Sequence, residues 1–102
     1  MYVEKRQHPR STCSLPATAD GPRGPVRGTC TNISLGGAFL EGIQLSLGAL
    51  TRVTLAVPGV GEVVLEAQVK RHSTSPRGMG VEFMRLDPQS VALLQQLVAR
   101  FG

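Results

Sequence analysis

Apolar and polar residues alternate along most of the chain, which is the pattern of β-strands that place one face on a core. The longest alternation covers residues 62–71, where apolar residues recur at every second position from Val63 to Val69. Shorter alternations cover residues 26–31, 52–57 and 79–83, and two weaker candidates cover residues 11–18 and 37–41. The pattern therefore predicts six short strands.

Glycine and proline turns separate these strands. The clearest are "DGPRGP" at residues 20–25 and "PGVG" at residues 58–61, both of which are strong turn signals. Strands joined by such short connections pair as antiparallel neighbours.

The C-terminal segment has a helical period instead. Asp87 is a favourable N-cap and Pro88 suits the first helical turn. The apolar residues that follow form one stripe, made of Val91, Leu94, Leu97, Val98 and Phe101. We therefore predict an amphipathic helix over residues 88–100.

A six-stranded antiparallel sheet leaves two exposed edges unless it closes on itself. The fold class that removes both edges is an all-β, six-stranded antiparallel β-barrel with a C-terminal α-helix packed over one opening. We expect the barrel to cover residues 11–84 and the first ten residues to form a flexible loop.

Composition supports a single globular domain. The chain has 102 residues, of which 41% are apolar and 18% charged, far from the composition of disordered chains. No apolar run approaches the length of a membrane span, and the N-terminus "MYVEKRQHPR" is polar where a signal peptide would be apolar. We expect a cytoplasmic protein with no membrane insertion.

Candidate catalytic and metal-binding residues are sparse. His8 and His72 are far apart in sequence and fit no catalytic spacing. Cys13 and Cys30 are too few for a structural zinc site, and we expect two reduced thiols on strands. The sequence thus predicts neither an enzyme nor a metal site nor a bound cofactor.

The formal net charge of +4 points to an anionic partner. Basic residues gather at the N-terminal end as Lys5, Arg6 and Arg10, although a solvated tail would also explain them. Single-stranded nucleic acid stacks on exposed aromatic rings. Because Phe39, Phe83 and Phe101 all fall on core-facing patterns, we expect no binding of DNA or RNA.

Two polar motifs stand out from the strand pattern. In "RQHPR", Arg6 and Arg10 flank Pro9, which prevents an ordinary helix, so their two guanidinium groups can clamp a ligand. Guanidinium groups bind phosphates, recognise the edge of guanine and stack on its face.

The second motif is "NISLGG". Asn32 and Ser34, two positions apart on a predicted strand, would share one face, and Gly37 would let another group approach the backbone closely. A turn between two strands would also explain this segment.

The order of these motifs resembles that of the PilZ domain family. "EKRQHPR" is similar to the first family motif, RxxxR; "NISLGGAFLE" is similar to the second, NxSxxG; and "GMGVEF" is similar to the last strand. The resemblance covers nearly the whole chain and implies a six-stranded barrel with a C-terminal helix.

The resemblance also implies a ligand, the bacterial second messenger cyclic dimeric GMP (cyclic di-GMP). Arg6 and Arg10 would grip its guanine and phosphate oxygens, while Asn32, Ser34 and Gly37 would line the barrel surface beneath it. Binding would order the N-terminal loop and signal to an unidentified protein partner.

Two alternatives stay open. One is a PilZ-like adaptor that binds only proteins, for example in motility or polar assembly. The other is a basic barrel that binds RNA.

Overall fold

The computed structural model describes residues 11–101 of the chain. They form a closed antiparallel barrel with strand order β1-β2-β3-β6-β5-β4, followed by a helix. The elements are β1 (Ser11–Gly21), β2 (Gly24–Ile33), β3 (Gly37–Glu41), β4 (Leu50–Val57), β5 (Gly61–Thr74), β6 (Arg77–Phe83) and α1 (Pro88–Phe101). The predicted fold class is confirmed, whereas the predicted loop of residues 1–10 lies outside the described residues.

Register shifts interrupt three strand pairings, β1–β2, β2–β3 and β5–β6, and the last two lie where the alternation pattern loses its regularity. In the β2–β3 pairing, Cys30 faces Leu40 and Asn32 faces Phe39, so Thr31 is an extra residue. In the β5–β6 pairing, Val69 faces Val81 and Arg71 faces Gly80, so Lys70 is extra. A bulge reverses which positions of the strand point inward from that point on. β5 continues to Thr74, beyond the predicted end at residue 71, because residues 72–74 pair with residues 77–79 of β6.

The inward-facing side chains fill the barrel with one apolar core. Its fully buried large members are Leu15, Ile33, Leu40, Ile43, Leu55, Leu65, Met79 and Leu94. Interior positions of a small barrel are filled by side chains in this way. The core is therefore continuous from the strands to the helix.

The helix packs on the barrel through the predicted stripe. Leu94 and Leu97 are buried, and Val98 and Phe101 pack against the core. Ser11 Oγ also donates a hydrogen bond of 2.9 Å to the Val98 carbonyl, which ties the helix to the start of β1.

The two cysteines are free thiols on β1 and β2, as predicted, and both are buried. Their sulfur atoms lie 3.7 Å apart inside the barrel. The hydrogen-bond contact with Cys13 and the burial of the side chain both raise the pKa of Cys30, so this thiol stays protonated.

Asp87 caps α1, and we expect acid to weaken that cap. Asp87 Oδ1 accepts a hydrogen bond of 2.7 Å from the Ser90 backbone amide, and this bond lowers the pKa of Asp87. The stabilisation is therefore full above the ordinary aspartate pKa and is lost as the pH falls through the lowered value. Thermal unfolding followed by circular dichroism from neutral to acidic pH measures this loss.

The control for that experiment is Asp87→Asn, because asparagine also caps helices but does not titrate. The difference in melting temperature between wild type and Asp87→Asn should shrink in acid. A difference that is constant across the carboxyl range would contradict the proposed cap.

Candidate functional site

The segment "NISLGG" connects β2 to β3. Asn32 and Ile33 end β2, Gly37 begins β3, and residues 34–36 form the turn between them. The predicted site residues Asn32, Ser34 and Gly37 thus lie together at one strand connection.

Ser34 holds this turn with its side chain. Its hydroxyl accepts hydrogen bonds from the backbone amides of Gly36 at 3.1 Å and Gly37 at 3.2 Å. Its own amide donates to the Gly37 carbonyl at 2.9 Å. With 8% of its surface exposed, Ser34 acts mainly on the backbone around it.

The expectation that Asn32 and Ser34 share one strand face is therefore wrong. β2 ends at Ile33, one residue before Ser34. Serine hydroxyls bond readily to nearby backbone amides, which favours a turn over continued strand pairing. The assignment of Ser34 to a ligand site stays a prediction.

Gly37 lies where β3 approaches β6 closely. A Cβ atom at this position would collide with the Val81 carbonyl oxygen, and the Val81 carbonyl carbon would be 3.3 Å away. Both are backbone atoms of the paired strand and cannot rotate aside. The glycine is therefore required by the barrel itself.

Asn32 points to the outside of the barrel. Its backbone is paired with Thr12 on β1 and with Phe39 on β3. Its neighbour Ile33 is fully buried, so the two residues face opposite sides of the strand. The half-buried Asn32 amide thus belongs to the outer surface of the sheet.

Arg6 and Arg10, the other two predicted site residues, lie outside the described residues. The described chain starts at Ser11, which follows Arg10 directly in the sequence. Because Thr12 pairs with Asn32, the RxxxR motif leads into the strand that borders Asn32.

Sequence reasoning missed one feature of this surface. Phe39 was expected in the core with Phe83 and Phe101, but it points outward, because its neighbour Leu40 is the buried residue of β3. The Arg71 guanidinium carbon lies 5.5 Å from the centre of the Phe39 ring. The outward-facing aromatic ring is thus covered by an arginine, within the range of a cation–π contact.

The described residues offer little for metal binding or for crossing a membrane. Residues 11–101 contain no group of three His, Cys, Asp or Glu side chains that could hold a metal ion. His72 is exposed, and one of its ring nitrogens lies 2.6 Å from the Leu45 carbonyl oxygen. No helix in this part of the chain is both long and apolar enough to cross a membrane.

A pocket of about 370 Å³ lies away from the β2–β3 connection, around the start of β4. Arg52 and Arg85 line it together with Asp20 and Glu66, so its charges are mixed. None of the "NISLGG" residues contributes to it.

This architecture and motif define a small β-barrel of a known class. A family model described as "PilZ domain" matches residues 4–100, and the chain belongs to the PilZ domain family. No curated protein sequence matches it significantly.

Solved PilZ structures share the fold at low sequence identity. The PilZ domain of YcgR from Escherichia coli, solved with c-di-GMP, superposes with a TM-score of 0.83 at 14% identity, covering 96% of this chain and 92% of that one. The PilZ domain of CeSA from a cellulose-synthesizing bacterium gives a TM-score of 0.70 at 22% identity, covering 90% of this chain and 96% of that one.

A longer protein also matches. The Bacillus subtilis inhibitor of motility, MotI/DgrA, gives a TM-score of 0.77 at 21% identity, covering 96% of this chain. The present chain spans about half of that protein, 51% of its length.

Proposed function

We propose that this protein is a cyclic di-GMP receptor that signals through contact with a protein partner and catalyses no reaction. PilZ domains are regulatory ligand-binding domains, and the YcgR domain with the same fold was solved with c-di-GMP. The observation that carries the proposal is the outward-facing Asn32, paired with Thr12 at the start of the strand that follows RxxxR.

In this proposal the ligand lies on the outer barrel surface at Asn32. The Asn32 amide offers both a donor and an acceptor to the edge of a guanine base. Ser34 and Gly37 act on the same site by fixing the turn and allowing β3 to approach β6.

Arg6 and Arg10 supply the positive charge for a ligand with two phosphates. Bidentate bonds from guanidinium groups to phosphate and guanine suit both parts of cyclic di-GMP. Ordering of residues 1–10 on binding would change the surface that a partner meets, which is a disorder-to-order switch. Because the ligand is a bacterial second messenger, we place the protein in the bacterial cytoplasm.

Calorimetric titration with cyclic di-GMP tests the proposal. We expect wild type to bind and Arg10→Ala to lose about 1–3 kcal/mol, the worth of one well-placed arginine contact. Each 1.4 kcal/mol corresponds to tenfold in affinity.

The matched control is Arg23→Ala, which removes the same charge from an exposed turn between β1 and β2. It should bind as wild type does, apart from a small general electrostatic effect. Absence of wild-type binding up to high micromolar ligand would reject the receptor in favour of an adaptor that binds only proteins. Equal affinities of Arg10→Ala and Arg23→Ala would reject the site.

A further inference from the structure

We infer that Cys13 and Cys30 form an oxidation site inside the barrel, where a hydroperoxide converts the two thiols into one disulfide. They are the only cysteines of the chain. Neither belongs to RxxxR or NxSxxG, so the site goes beyond the proposed function.

The strand pairing brings the two thiols together. Cys13 lies on β1 and Cys30 on β2, which are antiparallel neighbours, and both side chains are buried in the core of the barrel. Their sulfur atoms are 3.7 Å apart, whereas the sulfur atoms of a disulfide are about 2 Å apart. A short movement of one strand is therefore enough to form the bond.

A register shift gives β1 room for that movement. In the β1–β2 pairing, Thr12 faces Asn32. The next pair towards the turn is Leu15 with Cys30, so β1 has one residue more than β2 in this interval, which includes Cys13. The extra residue of a bulge is left unpaired by the ladder. The backbone around Cys13 can thus shift without breaking regular strand pairs.

The surroundings assign different roles to the two sulfur atoms. The hydrogen bond between the thiols lowers the pKa of Cys13, although burial acts against it, and raises the pKa of Cys30. Cys13 is also the more accessible, with 9% of its surface exposed against 0% for Cys30. Because the thiolate is the nucleophile, Cys13 attacks the oxidant and Cys30 resolves the product.

The reaction balances with hydrogen peroxide as the hydroperoxide. The Cys13 thiol loses its proton, its sulfur attacks one peroxide oxygen, the O–O bond breaks, and the leaving hydroxide takes up that proton to become water. The product is a sulfenic acid at Cys13. The Cys30 sulfur then attacks the Cys13 sulfur, the S–O bond breaks, and the Cys30 proton leaves with the hydroxide as a second water. The two sulfur atoms lose two electrons, which the peroxide gains.

The disulfide would act on the proposed ligand site from inside the barrel. Cys13 Sγ donates a hydrogen bond of 3.3 Å to the Cys30 carbonyl, and Cys30 Sγ donates one of 3.5 Å to the Asn32 carbonyl. Oxidation removes both donors and draws the start of β1 towards β2, beside the pair of Thr12 with Asn32. This consequence rests on the proposed function: the oxidised protein binds cyclic di-GMP more weakly than the reduced one.

Counting free thiols tests the oxidation site. Reduced wild type is treated with a dose of hydrogen peroxide that fully oxidises free cysteine, then unfolded, alkylated and weighed by mass spectrometry. The count should fall from two thiols to none in a monomer, and a reductant should restore both. Two free thiols after treatment, or a disulfide between two molecules on a non-reducing gel, would overturn the inference.

Two variants, each checked for folding by circular dichroism, test the roles of the sulfur atoms. Cys30→Ser lacks the resolving thiol, so peroxide should leave a sulfenic acid at Cys13 that dimedone traps. Cys13→Ser is the matched control, because its remaining thiol is protonated and fully buried and should give no dimedone adduct. The reverse pattern would overturn this assignment of roles. The thiol count of wild type decides on the disulfide without either variant.

Calorimetry with cyclic di-GMP measures the consequence for binding. Oxidised wild type should bind about fivefold or more weakly than reduced wild type, within the usual range of coupling between two sites. Peroxide-treated Cys13→Ser controls for oxidised methionines and should keep the affinity of the untreated variant. Equal affinities of oxidised and reduced wild type would overturn the coupling. Absence of binding by reduced wild type would overturn the proposed function, whereas the thiol count still decides on the oxidation site.

Discussion

Replacing Gly37 with alanine is expected to destabilise the barrel by about 1–3 kcal/mol, the usual cost of forcing extra atoms into a packed site. The new methyl group would meet the Val81 carbonyl on the paired strand. Relief requires β3 and β6 to separate, which weakens the ladder between these two neighbouring strands of the barrel. Chemical denaturation of both proteins measures the change in the free energy of unfolding.

Gly21→Ala is the control for the loss of a glycine as such. At that position the new Cβ would meet its nearest atom, the Gly24 carbonyl oxygen, at 3.1 Å, which a small shift can relieve. We expect a much smaller change there. If Gly37→Ala kept wild-type stability and lost only ligand binding, Gly37 would belong to the ligand surface and the structural explanation would be wrong.

Periodicity was enough to predict the fold. Alternation located six strands, the helical stripe located α1, and the cost of open sheet edges predicted closure. The ends of the strands were less predictable, because an extra residue such as Thr31 or Lys70 changes the register without changing composition. Only the pairing partner shows that a residue is extra.

The candidate site was predictable only in part, for two physical reasons. Ser34 was assigned to a strand from its position two residues after Asn32. That assignment did not consider that a serine hydroxyl can accept hydrogen bonds from two backbone amides and so form a turn. Phe39 was assigned to the core because "AFL" is apolar at three successive positions and does not reveal which of them points inward.

The position of Arg71 beside Phe39 was beyond sequence reasoning. It depends on the pairing of β3 with β6, two strands that are not consecutive in the chain. It also depends on the bulge that turns Arg71 to the outer face of β5. Neither the pairing nor the bulge follows from the order of residues along the chain.

Ile33→Ala is expected to have the largest effect on stability. Ile33 is fully buried between the outward-facing Asn32 and the turn at Ser34, and it pairs with Ser11 on β1 and Ala38 on β3. Truncating a buried isoleucine to alanine costs about 2–5 kcal/mol, because it removes apolar contacts and leaves a cavity. That is a large share of the 5–15 kcal/mol that typically stabilises a domain.

Ile33→Val separates this cavity effect from other causes, since it removes one methylene group and should cost about 0.5–1.5 kcal/mol. Denaturant unfolding of wild type and both variants gives the series. Equal costs for valine and alanine would contradict a tightly packed position.

Because Ile33 fixes the end of β2 from inside the barrel, Ile33→Ala should also weaken cyclic di-GMP binding under conditions where the variant is still folded. The inner face of this strand would then support the ligand surface formed by its outer face.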